Sequence, residues 1–232
     1  TDKQIWAYEL ACAFANLHQR GYSHTYFTSR DAFLTPNLID GDTNSQNIHL
    51  NIVLGNFSYD LESEQNKSKL SEQFYYRCPE FINEPLVSIP KSTIGERQKN
   101  DVHAFGVFLI ELYKWEEPQS FLQGKTRKDR LDLINKKSPE EYLNIDINQT
   151  NNSWISLILQ CVDKKPANRP TFNDIKKCLA SQQNFLPNVN PQEFEDRIKN
   201  VRTDTTCCFE TLAYANKKYP NFQIVRLILE DI

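Results

Sequence analysis

Three side chains able to carry a proton or bind a cation lie within the eight residues that begin at His24. They are the imidazole of His24, the phenol of Tyr26 and the carboxylate of Asp31. Histidine is the most frequent general acid or base, and carboxylates are the ligands that hard divalent cations prefer. His24 is therefore a candidate base, and a structural role for its ring is the alternative. Asn56 could add only a neutral amide oxygen, which is a much weaker ligand.

The sequence lacks the residue patterns of a nucleotide-binding glycine loop and of a zinc site. The six glycines form no G-x-G-x-x-G segment that could cradle a nucleotide phosphate. No two cysteines have the C-x-x-C spacing, and no histidines stand at zinc-binding distance from them. Four of the six cysteines lie in apolar stretches, where buried free thiols are usual. The sequence thus predicts a protein of a reducing compartment, the cytoplasm.

Composition points to a folded domain that binds neither nucleic acid nor a membrane. The chain has 232 residues, of which 39% are hydrophobic, and its net charge is −3. A slightly acidic chain has no electrostatic attraction for phosphate backbones or anionic lipids. The longest strongly apolar stretch, Phe105 to Leu112, is far shorter than the ~20 residues needed to span a bilayer. No apolar signal segment follows Thr1.

Hydrophobic periodicity predicts a mostly helical protein. Apolar residues recur every three or four positions from Ile5 to Leu17, and no capping residue precedes them, so we expect the natural chain to continue upstream. A helix buried on all sides is expected from Val102 to Leu112. Residues 21–36 read as a loop, and Ile48 to Leu54 alternate as a strand does. Further helices are expected over three segments: Arg127 to Lys136, Trp154 to Cys161 and Phe172 to Leu179.

Five short motifs in a fixed order give these elements a family resemblance. They are His24-Thr25-Tyr26-Phe27-Thr28-Ser29-Arg30-Asp31, Asn56-Phe57-Ser58, Cys78-Pro79-Glu80, Asp101 to Val107, and Cys161 to Phe172 with its Arg169-Pro170. Protein kinases carry H-R-D-L-x-x-x-N, D-F-G and A-P-E in this order. From about Ile5 to Leu186 the sequence resembles the C-terminal lobe of a protein kinase, and Arg30 and the Arg169-Pro170 segment resemble tyrosine kinases.

The resemblance implies a mostly α fold, the C-terminal (large) lobe of the α+β protein kinase fold, with the small lobe absent from this chain. We expect the lobe to occupy residues 1–186. Residues 187–232 would form a linker or an extension, or would lead into a further domain. ATP and Mg²⁺ would then bind only with a small lobe supplied upstream.

Several residues have structural roles in the family, and the resemblance carries those roles over. Glu80 and Arg169 would form a buried ion pair, and removing either would cost ~3–5 kcal/mol. The alternative is two exposed charges worth under about 1 kcal/mol. Asp101 would accept hydrogen bonds from the backbone around His24, whose ring would be structural, and Phe57 would pack. Tyr76 would fill an aromatic slot, with phosphorylation of Tyr75 and Tyr76 as the alternative.

The reactive positions of the family are altered. The catalytic Asp falls on Tyr26, a phenol with an ordinary pKa near 10 that makes a poor base at neutral pH. Thr28 occupies another of the family's catalytic positions. The two metal-binding positions fall on Asp31 and Asn56, which remain weak metal candidates, so no metal is expected and no catalytic residue is intact.

The resemblance therefore implies a pseudokinase, and the degenerate loop with a long insertion after Pro36 resembles Janus kinase pseudokinase domains. Such a lobe would regulate another kinase domain, in cis or in trans, or bind receptor-associated signalling proteins. Two alternatives remain open. One is a divergent active kinase that uses Asp31 as a metal ligand and phosphorylates protein substrates with ATP. The other is a decayed fragment with no stable fold.

Overall fold

A computed structural model describes residues 1–36, 50–55, 75–82, 92–116, 126–145, 153–186 and 188–199. Helices dominate these ranges, and the longest are α1 (Asp2–Gln19) and α2 (Ile94–Lys114). The remaining helices are α3 (Arg127–Lys136), α4 (Pro139–Tyr142), α5 (Ser153–Cys161), α6 (Phe172–Ala180) and α7 (Pro191–Lys199). Short 3₁₀ turns cover Ser29–Asp31, Pro79–Phe81, Pro166–Asn168 and Gln182–Asn184. The mostly helical architecture expected from the sequence is confirmed.

A two-stranded antiparallel sheet follows α1. Strand β1 (Ala32–Pro36) pairs with β2 (Leu50–Leu54), and Ala32 lies opposite Leu54. The loop expected over residues 21–36 therefore ends in a strand. Its residues alternate too weakly to predict one, because β1 depends on pairing with β2 rather than on its own pattern.

The hydrophobic core lies where α1, α2 and α6 meet. The ring of Phe14 stacks on Phe172 with centroids 4.5 Å apart, and Phe27 meets Phe14 edge-on at 5.0 Å. Phe105 contacts Phe172 at 5.2 Å. All four rings are at most 1% exposed. These stacked and edge-on pairs join α1, α6 and the loop at Phe27 to α2.

Helix α2 has defined ends. At its start the Thr93 hydroxyl accepts from the amide of Glu96, and the Glu96 carboxylate accepts from the amide of Thr93, which forms a reciprocal cap. At its end Trp115 adopts the left-handed backbone conformation with φ 59°, which lets the chain turn out of the helix. Between these ends, residues 100–110 are all buried.

The segment after residue 186 contacts the lobe through α7. Phe194 of α7 is completely buried and lies edge-on to Tyr8 at 5.8 Å. Arg197 forms an ion pair with Asp2 at the start of α1. Nearby, the amide side chain of Gln4 donates to the Leu179 carbonyl at 2.8 Å. The predicted division of the chain at residue 186 stays a prediction, and residues 200–232 lie outside the described part.

Among the helices that the structure describes, none is both long enough and apolar enough to cross a membrane.

Helices α2 and α5 approach each other closely at Gly106. A Cβ atom at this position would lie 2.7 Å from Cγ1 of Val162 and 2.8 Å from Cβ of Cys161, both of which are too close. On the same interface the Trp154 indole donates to the Leu109 carbonyl at 3.4 Å. Only a residue without a side chain fits at this crossing.

We expect Gly106→Ala to destabilise the lobe by about 1–3 kcal/mol, because overpacking outweighs the helix propensity gained. Urea unfolding measures the change. Gly95→Ala in the same helix is the matched control, because nothing lies within 4 Å of a Cβ there. The control should be neutral or slightly stabilising. Equal effects of the two substitutions would contradict the close-packing explanation.

The buried carboxylate of Glu9 in α1 contacts strand β2. Glu9 is 8% exposed and accepts a hydrogen bond of 2.8 Å from the amide of Ile52. Burial raises the pKa of Glu9 to about 7, although the Ile52 hydrogen bond and the charge of Arg197 oppose the rise. The folded lobe therefore holds a proton that the unfolded chain releases at lower pH.

This proton makes stability fall as pH rises from about 4.5 to about 7, because the folded state binds more protons in that window. Glu9→Gln keeps an acceptor for the Ile52 amide but cannot ionise. We expect the variant to be more stable than the unmodified chain at pH 8, by up to about 3 kcal/mol. The advantage should disappear near pH 4.5. Urea unfolding at both pH values tests this, and a pH-independent difference would contradict it.

Candidate functional site

The loop after α1 is fixed by one buried carboxylate of α2. Asp101 accepts hydrogen bonds from the backbone amide of His24 at 2.8 Å and from that of Thr25 at 2.7 Å. Nε2 of His18 donates to the same carboxylate at 2.9 Å. Thr25 sits in the left-handed region with φ 73°, a strained conformation that these bonds hold in place. The roles of Asp101 and His24 were predicted from the sequence, whereas the contact of His18 with Asp101 was not.

The His24 ring connects this loop to the end of β2. Its Nε2 donates to the Gly55 carbonyl at 2.8 Å, and the side chain is almost fully buried. The Gly55 amide in turn donates to the Asp31 carbonyl at 2.9 Å. Buried inside the lobe, the ring lies where a substrate does not reach it, which favours the structural role. Asn56 and Phe57, which follow Gly55, lie outside the described residues.

Tyr26 occupies the centre of the loop and is partly exposed. It lines a small hollow together with residues of three segments: Thr25, Phe27, Tyr76, Arg77 and Asn100. Burial raises the pKa of the phenol, and the charges of Arg77 and Arg97 only partly oppose the rise. The phenol therefore stays protonated at neutral pH, so it does not act as a base. Neither arginine was predicted from the sequence to act on Tyr26.

Asp31 forms part of a local cap. Its Oδ2 accepts from the Thr28 amide at 2.9 Å and from the Thr28 hydroxyl at 3.1 Å, and the residue is fully buried. These bonds close the turn over Ser29–Asp31. Within the described ranges no three His, Cys, Asp or Glu side chains cluster as metal ligands would. The Asp31 carboxylate thus has a structural use that does not require a cation.

A second polar network lies beside this turn. The buried phenol of Tyr76 donates to the carboxylate of Glu111 and lies 3.0 Å from the Ser29 hydroxyl. Ser29 donates its backbone amide to the Tyr76 oxygen at 3.1 Å. Burial and the neighbouring Glu111 raise the pKa of Tyr76 well above its usual value. At 3% exposure Tyr76 serves packing rather than modification.

Glu80 and Arg169 form a bidentate ion pair. Nη1 and Nη2 of Arg169 donate to the two carboxylate oxygens of Glu80 at 2.5 and 2.8 Å. Arg169 also donates to the carbonyls of Asp163 at 2.8 Å and Lys99 at 3.2 Å. Burial would lower the pKa of Arg169, but the Glu80 carboxylate raises it above its usual value. The pair joins the turn at residue 80 to the loop before α6.

The two partners differ in burial. The side chain of Arg169 is completely buried, whereas that of Glu80 is 28% exposed. The sequence led us to expect an ion pair buried on both sides. Water reaches Glu80 because it lies in a surface turn (Pro79–Phe81), while Arg169 is enclosed by α2 and the loop before α6.

We expect Glu80→Ala to lower the free energy of unfolding by about 2 kcal/mol. This is less than the ~3–5 kcal/mol expected for a fully buried pair, because the charge of Glu80 is partly hydrated. Arg169→Met should lower the free energy of unfolding further, since it also leaves the carbonyls of Asp163 and Lys99 without this donor. In the double variant, the cost should fall at least about 1 kcal/mol short of the sum. Asp196→Ala, which breaks the exposed Asp196–Lys199 pair, is the control and should change stability little. Additive costs at Glu80 and Arg169 would contradict the coupling.

Comparisons with known proteins agree with these features. The family described as protein tyrosine and serine/threonine kinase matches residues 1–179. "Cysteine-rich receptor-like protein kinase 18" of Arabidopsis thaliana is 30% identical over 139 residues, which cover 56% of this chain and 20% of the relative. "Putative cysteine-rich receptor-like protein kinase 32" of the same plant is 27% identical over 214 residues, 88% of this chain and 31% of the relative.

The chain thus spans between a fifth and a third of the length of these curated relatives. The helical architecture and the order of its elements confirm the expected C-terminal lobe of the kinase fold. The kinase resemblance found in the sequence is confirmed at the level of the superfamily. On these grounds the chain belongs to the protein tyrosine and serine/threonine kinase family.

Proposed function

We propose that this lobe is a pseudokinase that regulates a kinase rather than transferring phosphate itself. The observation that carries the proposal is that Tyr26, a phenol whose pKa is raised by burial, occupies the position of the family's catalytic carboxylate. An active kinase uses that carboxylate to accept the proton of the substrate hydroxyl. Losing a positioned base typically lowers the rate by ~10²–10⁴.

The arrangement of Asp31 supports the same proposal over a divergent active kinase. That alternative requires the Asp31 carboxylate to bind Mg²⁺, which in kinases is held by an aspartate and an asparagine. Here both the amide and the hydroxyl of Thr28 already donate to one Asp31 oxygen. Oδ2 is thus already engaged inside the lobe, and a cation could bind only by reaching a carboxylate that is fully buried.

The groups that hold the lobe together are in place, in contrast to the reactive ones. Asp101 fixes the loop around His24, and Arg169 pairs with Glu80. A lobe that keeps its architecture without the chemistry is suited to act by binding. If it contacts a partner differently in the partner's active and inactive states, a coupling of about 1–3 kcal/mol shifts that equilibrium.

The partner that we propose is another kinase domain, in cis or in trans, within a receptor-associated signalling complex. The relatives are named receptor-like protein kinases, which supports a receptor kinase as the partner. A tandem arrangement like that of Janus kinases is one form that regulation in cis could take. We place the lobe in the cytoplasm, and the buried free thiols of Cys12, Cys78 and Cys161 support a reducing compartment.

Phosphoryl transfer tests the proposal directly. The full-length protein, with Mg²⁺-ATP and peptides containing Tyr, Ser and Thr, should transfer phosphate at background rates, far below the ~1–100 s⁻¹ of active kinases. Tyr26→Asp together with Asn56→Asp should raise the rate if the protein binds ATP. Tyr22→Asp is the control, because Tyr22 is exposed in the same loop.

A kinase-like rate in the unmodified protein would overturn the proposal. Loss of such a rate in Asp31→Ala, with folding checked by urea unfolding, would then establish the divergent kinase, because alanine removes both oxygens that could bind Mg²⁺. The regulatory part is tested separately, by adding the lobe to the kinase domain of a receptor partner and measuring that domain's rate. An unchanged partner rate and no binding would contradict regulation.

A further inference from the structure

The last described helix, α7, lies outside the region that matches the kinase family, yet it is anchored to the lobe. The family match ends at residue 179, whereas α7 spans Pro191–Lys199. Its Phe194 is completely buried. The Phe194 ring lies edge-on to Tyr8 of α1 with centroids 5.8 Å apart, and it lies 4.6 Å from the ring of Phe185. An element beyond the family match therefore packs on α1.

Polar contacts tie the same segment to the start of α1. Arg197 of α7 forms an ion pair with Asp2, and the Arg197 side chain is 12% exposed. The amide of Asn190, which precedes α7, donates to the Thr1 hydroxyl at 3.4 Å. The Thr1 side chain makes no capping hydrogen bond to α1 itself. The first turn of α1 is thus held by groups from residues 188–199, which we call the strap.

The strap has few contacts that keep it in place. Helix α7 has nine residues, and isolated helices shorter than about 12–15 residues are marginal in water. Within α7, all of which the structure describes, Phe194 is the one buried residue. The side chain of Asp2, which pairs with Arg197, is 61% exposed, and exposed ion pairs contribute little to stability. We therefore expect α7 to be helical only while Phe194 is docked, and to unfold when it leaves α1.

Helix α1 connects the strap to the candidate site. Glu9 of α1 accepts a hydrogen bond of 2.8 Å from the Ile52 amide in β2. Gly55 follows β2, and its carbonyl accepts from the His24 ring at 2.8 Å while its amide donates to the Asp31 carbonyl at 2.9 Å. These contacts form an unbroken series from α1 to both ends of the His24–Asp31 loop. A displacement of α1 would therefore change the support of that loop.

We propose that the strap is a regulatory device that couples the chain beyond the lobe to the His24–Asp31 loop. While α7 is docked, it holds α1 at Tyr8 and at Asp2, and α1 supports the loop through β2. Release of α7 removes both anchors from α1 and loosens the loop. Residues 200–232 follow α7 directly, so a partner that binds them and favours the released strap shifts this equilibrium. The inference rests on the proposed function in that the lobe acts by regulation.

Hydrogen exchange followed by mass spectrometry on the full 232-residue chain tests this coupling. Phe194→Ala should speed exchange in α7 by at least about tenfold, because the loss of a buried phenylalanine favours the released strap. Exchange in the His24–Asp31 loop should rise by about threefold or more, since α1 loses its anchors. Phe194→Leu keeps an apolar anchor and should preserve most of the protection. Asp196→Ala, which breaks the exposed Asp196–Lys199 pair in the same helix, is the control and should change neither segment.

The centre of α2, residues 102–112, separates release of the strap from general unfolding, and its exchange should stay unchanged in Phe194→Ala. Faster exchange in α7 with an unchanged loop would overturn the coupling. Unchanged exchange in α7, or an equal rise in α2, would overturn the strap as a separately released element. No arm measures phosphate transfer or a partner's rate. Failure of this inference is therefore distinguishable from failure of the pseudokinase proposal.

Discussion

The carboxylate of Asp101 is the constraint on which the candidate site depends. It is fully buried, which is tolerable for a charge only when donors surround it. Two backbone amides of the His24 loop and the His18 ring supply those donors. Because Asp101 sits in the rigid α2, the loop inherits that rigidity. The adjacent Asn100 extends the same control to the segment before Glu80, since its side chain accepts from the Cys78 amide at 3.2 Å.

Asp101 and Arg169, which keep their family residues, are more deeply buried than Tyr26, which does not. Asp101 and Arg169 each satisfy several buried partners, so replacing either would strand polar groups away from water. Tyr26 is partly exposed in the loop, where a side chain larger than aspartate can be accommodated without repacking the core. A change at this one position therefore costs little folding free energy, which is consistent with the pseudokinase that we propose.

The part of this arrangement that could be predicted from the sequence involves buried charges, because a buried charge is stable only when it is paired. The contacts of Asp101 and of Arg169 with Glu80 lie where motif order placed them. The exposure of Glu80 was not foreseen, because sequence does not tell how far a turn stands out from the surface. The Tyr76–Glu111–Ser29 network and the position of Arg97 were missed for a related reason. Their partners come from distant segments, and no periodic pattern marks them.

The packing of α1 on α6 has a consequence for how the lobe is made. Phe14 stacks on Phe172, and Gln4 bonds the carbonyl of Leu179, so the first helix completes its contacts with residues synthesised some 150 positions later. On the ribosome α1 would emerge long before these partners exist. The part of its apolar face that packs on α6 stays uncovered until α6 leaves the exit tunnel, and contacts so distant in sequence slow folding. The nascent chain is therefore expected to depend on chaperones that cover α1 during this interval.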